Sequence, residues 1–318
     1  MFSITNEWKS YLDELNKAKL VEILKFYHEL CACKNIEYEK NIEKKKKADI
    51  IKYLIEEEKN YVTYFIESLD LVDFEYLKKC VSNNKETTRN KSFINYAIEK
   101  KIVFKNKELE IPSDIYEEIK LLINNKEILK KITKQNELYM YALGLIIAYG
   151  VIDKSVFEKY LKPIDELWEQ KLNIYYKKEY QINEKNITSK ALKNKERIEK
   201  YLKNKDIKVF SKKEYILLGT HLYHHNIKSY KKYIKVLKSN YVFKNKDIEF
   251  IDKEIVTPYL YTSLNEEALA NEKLEKTIMD LFEFKNDKLK NKMLEEVKKI
   301  RNDFPLWEYR GFSKNEVN

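Results

Sequence analysis

Only four glycines and four prolines punctuate 318 residues, and this scarcity restricts the fold more than any other feature of the chain. All-β folds consume glycine and proline at their many tight turns. A chain so poor in both is built from helices joined by short polar connections. Hydrophobic residues make up 43% and charged residues 36%, enough apolar material to fold and to fill two or three cores. The expected fold is mainly α: consecutive small helical modules carrying two short β-hairpins in winged-helix-like units.

Helical periodicity organises the first part of the chain. Trp8, Leu12 and Leu15 share one face, and Asn16 stands where it can cap a second helix striped by Leu20, Ile23, Leu24 and Tyr27. A polar stretch ends in Lys44, Lys45, Lys46 and Lys47, which lead into a helix with Ile50, Ile51, Leu54 and Ile55. The pattern LNKAKLVEILKFY, a loop, then KKKKADIIKYLIE resembles the SAP and Rho N-terminal-like helical modules. That resemblance implies contact with nucleic-acid backbones by residues 1–58. The chain end, IRNDFPLWEYRGFSKNEVN, resembles a segment of uncharacterised bacterial proteins that carry such modules. Asn302, Pro305, Trp307, Gly311, Phe312, Ser313, Asn315 and Glu316 bear the likeness. In relatives the segment precedes a cysteine-rich zinc motif, SEC-C, which does not occur here.

A second organising signal is a repeated pentapeptide. KIVFKNKELEIP, with Val103 and Phe104 opposite Leu109 and Ile111, reads as a hairpin over 102–111 whose turn holds Lys105, Asn106 and Lys107. Pro112 ends it, and Asp114 with Glu117 has the spacing of a capping box. VFKNK recurs at 242–246, followed by Thr257-Pro258 as a helix start, which predicts a second helix-hairpin unit over 209–263. The remaining divisions are a helical unit at 59–135, a helical hairpin at 136–176, a lysine-rich linker or exposed helix at 177–208, and C-terminal amphipathic helices with a tail at 264–318. Gly150 can close the apolar helix that ends at Tyr149.

Candidate chemistry is sparse. His221, His224 and His225 would share one face of a helix, but no acidic residue lies within that block to complete a metal set. His28, Cys31 and Cys33 lack a fourth ligand and read as small buried residues beside a helix end. Four glycines cannot build a phosphate-cradling loop or a nucleophile elbow. No catalytic residue, metal or cofactor is assigned, and an enzyme is the least favoured class. No apolar run is long enough to span a bilayer and no signal peptide is evident, so the expected location is the cytoplasm, with no membrane partner.

Charge supplies the functional lead. The net charge is +10, and only four of the 62 basic residues are arginine. Lysine is a mobile point charge suited to phosphate, whereas arginine is the better fork for reading bases. The expectation is a non-enzymatic, nucleic-acid-associated or regulatory protein of low sequence specificity. Its contacts are expected at Lys44, Lys45, Lys46 and Lys47 and at the wing residues Lys105, Lys107, Lys244 and Lys246. The alternative is a scaffold or inhibitor that binds a partner protein through its helical faces.

Overall fold

The structure is a computed structural model; it describes residues 2–83, 90–106, 108–175, 180–189, 206–242, 244–262 and 264–317. The chain is mainly helical with two small three-stranded sheets, and it divides into two compact units. Unit 1 holds Met1–Leu138 and Lys162–Lys177; unit 2 holds Tyr139–Leu161 and Lys178–Asn318. Among the described residues, no helix is long and apolar enough to cross a membrane.

Unit 1 begins with β1 (Phe2–Thr5), α1 (Trp8–Glu14), α2 (Lys17–Ala32), α3 (Lys47–Glu56) and α4 (Glu58–Glu67). Asn16 does cap α2: its Oδ1 accepts the Lys19 N–H at 3.0 Å. There follow α5 (Leu71–Asn83), α6 (Lys91–Glu99), the hairpin strands β2 (Phe104–Lys105) and β3 (Leu109–Pro112), and α7 (Ser113–Leu122). The first VFKNK copy is thus a hairpin, with Lys105 exposed at the end of β2 opposite Leu109; Lys107 lies outside the described residues. Val103 and Phe104 are both buried rather than divided between two faces, because the Phe104 ring stacks on Tyr11 at 4.2 Å.

Residues 1–58 do not close on themselves. Strand β1 pairs in parallel with β3, with Phe2 opposite Leu109 and Ile4 opposite Ile111, and one continuous core runs from Trp8 to Ile132. Trp8 is fully buried, stacks on Tyr61 at 5.3 Å and donates its indole N–H to the Lys101 carbonyl. Asp114 also differs from its expected role. Its carboxylate accepts the Trp8 backbone N–H at 2.9 and 3.0 Å, capping α1 from across the unit, while the residue before α7 makes no side-chain cap. The open N-terminus of α1, preceded by Glu7 with no capping bond of its own, is the stronger claimant for a carboxylate.

Helix α8 (Lys126–Tyr149) contributes its first part to unit 1 and its second part to unit 2. Gly150 closes it at φ 69°, as its position predicts. Strand β4 (Val151–Asp153), α9 (Lys154–Leu161), α10 (Trp168–Tyr175, in unit 1), β5 (Tyr180–Ile182) and β6 (Asn186–Ser189) follow. The expected linker over 177–208 is corrected in part: 180–182 and 186–189 are strands of the sheet β4-β6-β5, and Ile187 is fully buried. Alternation of Ile187 with polar neighbours suffices for a short strand, despite the lysine-rich surroundings. Residues 190–205 lie outside the described residues.

The rest of unit 2 is α11 (Lys212–Gly219), α12 (Lys228–Asn240), α13 (Asn245–Ile251), a π turn (Asp252–Val256), α14 (Thr257–Leu260), α15 (Glu267–Leu281), α16 (Asp287–Asp303) and α17 (Lys314–Val317). The C-terminal half of α8 crosses α11 with backbone against backbone. A Cβ on Gly144 would stand 1.8 Å from the Tyr215 carbonyl oxygen, and one on Gly219 would stand 1.9 Å from that of Met140. Two of the four glycines are therefore fixed by one helix crossing.

The second VFKNK copy is not a hairpin, which removes the repeat and the second winged-helix-like unit. Lys244 precedes α13, its backbone N–H bonding Asp247 Oδ2 at 2.7 Å, and the chain stays helical through α14. Phe243 lies outside the described residues, and Val242 is fully exposed. Physically, Ile251, Ile255 and Val256 recur at helical spacing and are buried, and among the described residues no strand offers pairing of the kind β1 gives β3. Thr257-Pro258 does open α14 with the proline in its first turn, but Thr257 makes no cap, because the helix follows the π turn without a break. Pro258 sits inside a continuous helical run directly after the π turn, where the hydrogen-bond ladder is already shifted.

Candidate functional site

Unit 2 carries the features that most resemble a site, and they begin at the end of α11. The Leu222 N–H bonds the Leu217 carbonyl and the His221 N–H bonds the Leu218 carbonyl, the paired bonds of a Schellman ending. His221 takes the left-handed position of that motif, at φ 58°. The three histidines therefore do not share a helix face, and His221 acts as a helix terminator. The turn leads into a short 3-10 segment, Tyr223–Asn226, which presents His224 and His225 together.

The carboxylate that the sequence withheld arrives from 27 residues away. His225 Nε2 lies 2.7 Å from Asp252 Oδ2, and His224 Nε2 lies 3.5 Å from Oδ1. The Tyr230 hydroxyl, one turn into α12, donates to the same carboxylate at 2.8 Å and its ring stacks on His225 at 4.8 Å. Asp252 is buried at 7% exposure. Burial pushes its carboxyl up, but the His224 imidazole, the Tyr230 hydroxyl and the His225 ring outweigh burial and hold it below the usual carboxylate value. His224 is wholly buried, and neither of its ring nitrogens has a hydrogen-bond partner.

Continuing from this cluster, α12 is a one-sided helix. Lys228, Lys231, Lys232, Lys235 and Lys238 are all exposed, while Tyr230, Tyr233 and Leu237 are buried. At 100° per residue the lysines fall within an arc of about 120°, and at 1.5 Å per residue they extend over about 15 Å. No acidic residue occurs between Glu214 and Asp247. Among the described residues, none of the five lysines has an ion-pair partner. The buried face packs antiparallel on α16: Ser229 Oγ donates to Asp303 Oδ2 at 2.7 Å near one end, and Tyr241, just past the other, bonds the Glu283 carbonyl.

The lysines expected from sequence are more dispersed. Lys45 pairs with Glu39 at 2.6 Å, and Lys47 Nζ bonds the Asp13 carbonyl at 2.6 Å, so half of the run at 44–47 is engaged within unit 1. Lys44 and Lys46 are exposed. Lys105 is in unit 1, whereas Lys244 and Lys246 flank the start of α13 in unit 2; all three are exposed. The cysteines gather no ligand set: Cys31 and Cys33 are buried, and His28 stacks on Tyr38 at 4.0 Å.

A cleft of about 520 Å³ also lies in unit 2, lined by Leu143 and Ile147 of α8, by His221, by Tyr261 and by Leu306 and Trp307. The C-terminal segment thus folds back to form one of its walls. Leu306 N–H bonds the Phe312 carbonyl, Gly311 turns at φ 90°, and the Ser313 N–H bonds Glu316 Oε2 at 2.7 Å, one of the two bonds of a capping box. Arg301 secures the opposite wall. Its fully buried guanidinium donates to the carbonyls of Tyr259, Leu260 and Thr262 at 2.6 to 3.0 Å. Comparisons of the chain with protein-family models, with curated proteins and with solved structures find no match.

Proposed function

We propose that the protein binds nucleic acid with low sequence specificity, through the lysine face of α12 with Lys244 and Lys246 beyond its end. The observation that carries this reading is the uncompensated stripe. Like charges at i, i+3 and i, i+4 on a helix cost about 0.2–0.5 kcal/mol per pair. Along α12 the pairs 228–231, 228–232, 231–235, 232–235 and 235–238 are all of this kind. A purely structural face would interleave glutamate, as α16 does with Glu295 and Glu296 among its lysines. An anionic backbone lying along α12 relieves the repulsion. The resemblance of residues 1–58 to SAP and Rho N-terminal-like modules supports the same partner, with Lys44 and Lys46 as auxiliary contacts. A cytoplasmic protein in contact with DNA or RNA is the setting this reading assumes. The competing reading, a partner-protein scaffold, draws on the apolar cleft.

Five lysines meeting five phosphates give a salt slope of about −4.5 on duplex and about −3.5 on a single strand. Affinity should then fall about 500-fold or about 130-fold between 50 and 200 mM salt. Fluorescence anisotropy with labelled single-stranded and duplex oligonucleotides measures this directly. Lys231→Glu/Lys235→Glu should weaken binding to every sequence alike and flatten the slope by about 2. Absence of binding at low salt, or unchanged binding by that variant, rejects the proposal. Capture of a protein partner that depends on cleft residues and not on the lysines would favour the scaffold.

A further inference from the structure

We infer that His224, His225 and Asp252 form a binding site for a divalent transition-metal ion. One ligand atom from each side chain lies within 4.8 Å of the others, the one such group among the described residues. Tetrahedral zinc with bonds of about 2.0–2.1 Å places its ligand atoms about 3.3 Å apart. The carboxylate approaches each ring on either side of that value, Oδ2 at 2.7 Å from His225 Nε2 and Oδ1 at 3.5 Å from His224 Nε2. Closing the His224–His225 side, which spans no more than 4.8 Å, requires the partly exposed His225 ring to turn on its stack against Tyr230.

The second, independent observation is the state of His224. A buried imidazole without hydrogen bonds is costly, and buried polar groups in folded proteins are almost always paired. His225, Asp252 and Tyr230 satisfy one another, so a purely structural polar cluster accounts for three of the four side chains. It leaves the wholly enclosed His224 ring without a hydrogen bond, its Nε2 no nearer than 3.5 Å to Asp252 Oδ1 and its Nδ1 unpartnered. A cation between His224, His225 and Asp252 gives that ring a partner. It requires His225 to carry its proton on Nδ1 and to turn the Nε2 lone pair toward the ion.

Local backbone and surroundings fit the assignment. Asp252 opens the π turn, a distortion that recurs at functional sites. The Tyr230 hydroxyl donates to both carboxylate oxygens at 2.8 Å, the kind of hydrogen bond that outer partners give to ligating carboxylates. Two imidazoles and one carboxylate select zinc and its transition-metal neighbours over calcium or magnesium, which prefer all-oxygen sets. Three protein ligands also leave a coordination position for water or an anionic oxygen.

The test is titration of metal-stripped full-length protein with Zn²⁺ by calorimetry and with Co²⁺ by visible absorption. One ion per chain and the intense visible bands of four-coordinate Co²⁺ are expected. His225→Ala, at an exposed position, should keep the fold by circular dichroism and weaken Zn²⁺ at least about 100-fold, while Tyr230→Phe should weaken it about 10-fold. Asp252→Asn provides a second ligand variant should His225→Ala misfold. Absence of saturable binding, or equal affinity in wild type and both ligand variants, overturns the inference. The lysine variant Lys231→Glu/Lys235→Glu should retain the metal, so this result stands or falls apart from nucleic-acid binding.

Discussion

Replacing Arg301 by leucine tests how the cleft wall and the helix bearing Asp252 are held. The guanidinium donates three hydrogen bonds to the carbonyls of Tyr259, Leu260 and Thr262, the end of the α13 to α14 run, and its Nε lies 3.7 Å from Glu267. Leucine removes every donor and leaves those acceptors at a helix end with no replacement. A buried acceptor without a partner costs on the order of 1–3 kcal/mol. Leucine also removes the desolvation cost of burying the charge, so the net loss is about 3–5 kcal/mol. Glu267 keeps Lys314 at 2.6 Å and adds little to the loss. Lysine at 301 retains charge but cannot span three carbonyls, and should lose about 2 kcal/mol. Denaturant unfolding gives the totals. Hydrogen exchange localises them, because amides from Ile255 to Thr262 should lose protection before the rest of unit 2. A loss under about 0.5 kcal/mol for Arg301→Leu, or a loss spread evenly over unit 2, would refute the role given to this side chain.

Gly144→Ala should destabilise unit 2 by about 3 kcal/mol or more, because a methyl group 1.8 Å from the Tyr215 carbonyl oxygen forces α8 and α11 apart. A melting temperature lowered by about 6–12 °C is expected, and an unchanged one would contradict the backbone contact. In unit 1, burial and the neighbouring Asp114 carboxylate hold Glu58 up at about 7. The protonated form is therefore the stabilising one: its contribution is full below about pH 4.3 and is lost as pH rises through 7. Glu58→Gln should flatten that part of the stability profile and add about 1 kcal/mol at pH 8, after allowance for solvent screening. Asp252 has the opposite sign, its carboxyl being held low, so its contribution is present above about pH 4 and fades on further acidification. Asp252→Asn should remove that acid-side loss in pH-dependent unfolding.

Local signals were legible in the sequence, and contacts across the chain were not. The shortage of glycine and proline predicted helices, and Asn16, Gly150 and the first VFKNK hairpin follow from residues within one turn of one another. Strand β1 could not be foreseen, because its partner β3 lies more than 100 residues away. Asp114 was assigned to its own helix by spacing, yet geometry gives it to α1. The identical pentapeptides adopt different structures because their neighbours differ: Asp247 and the isoleucines behind it favour a helix, whereas Leu109 and Ile111 alternate beside β1. The histidine cluster was noticed without its carboxylate, since only folding brings Asp252 to it. The lysine face of α12 is written in the sequence as lysines at helical spacing in a stretch with no acid, a signal independent of the pentapeptide.

The π turn has a consequence in angular terms. Each residue in a helix advances the azimuth by about 100°, and a π turn holds one residue more than the α-helical path needs. That residue sets the rotational phase between the two ends of the run: Asp252 toward the histidines at one end, Tyr259 and Leu260 into the interior at the other. Deleting exposed Lys253 or Glu254 would remove no packed side chain. It would nevertheless rotate one end by roughly 100° against the other. Either the carboxylate would leave the imidazoles, or the residues held by Arg301 would turn away from it. A single surplus residue thus acts as an indexing pin, and insertions or deletions in this helix are constrained far more tightly than its surface-exposed sequence suggests.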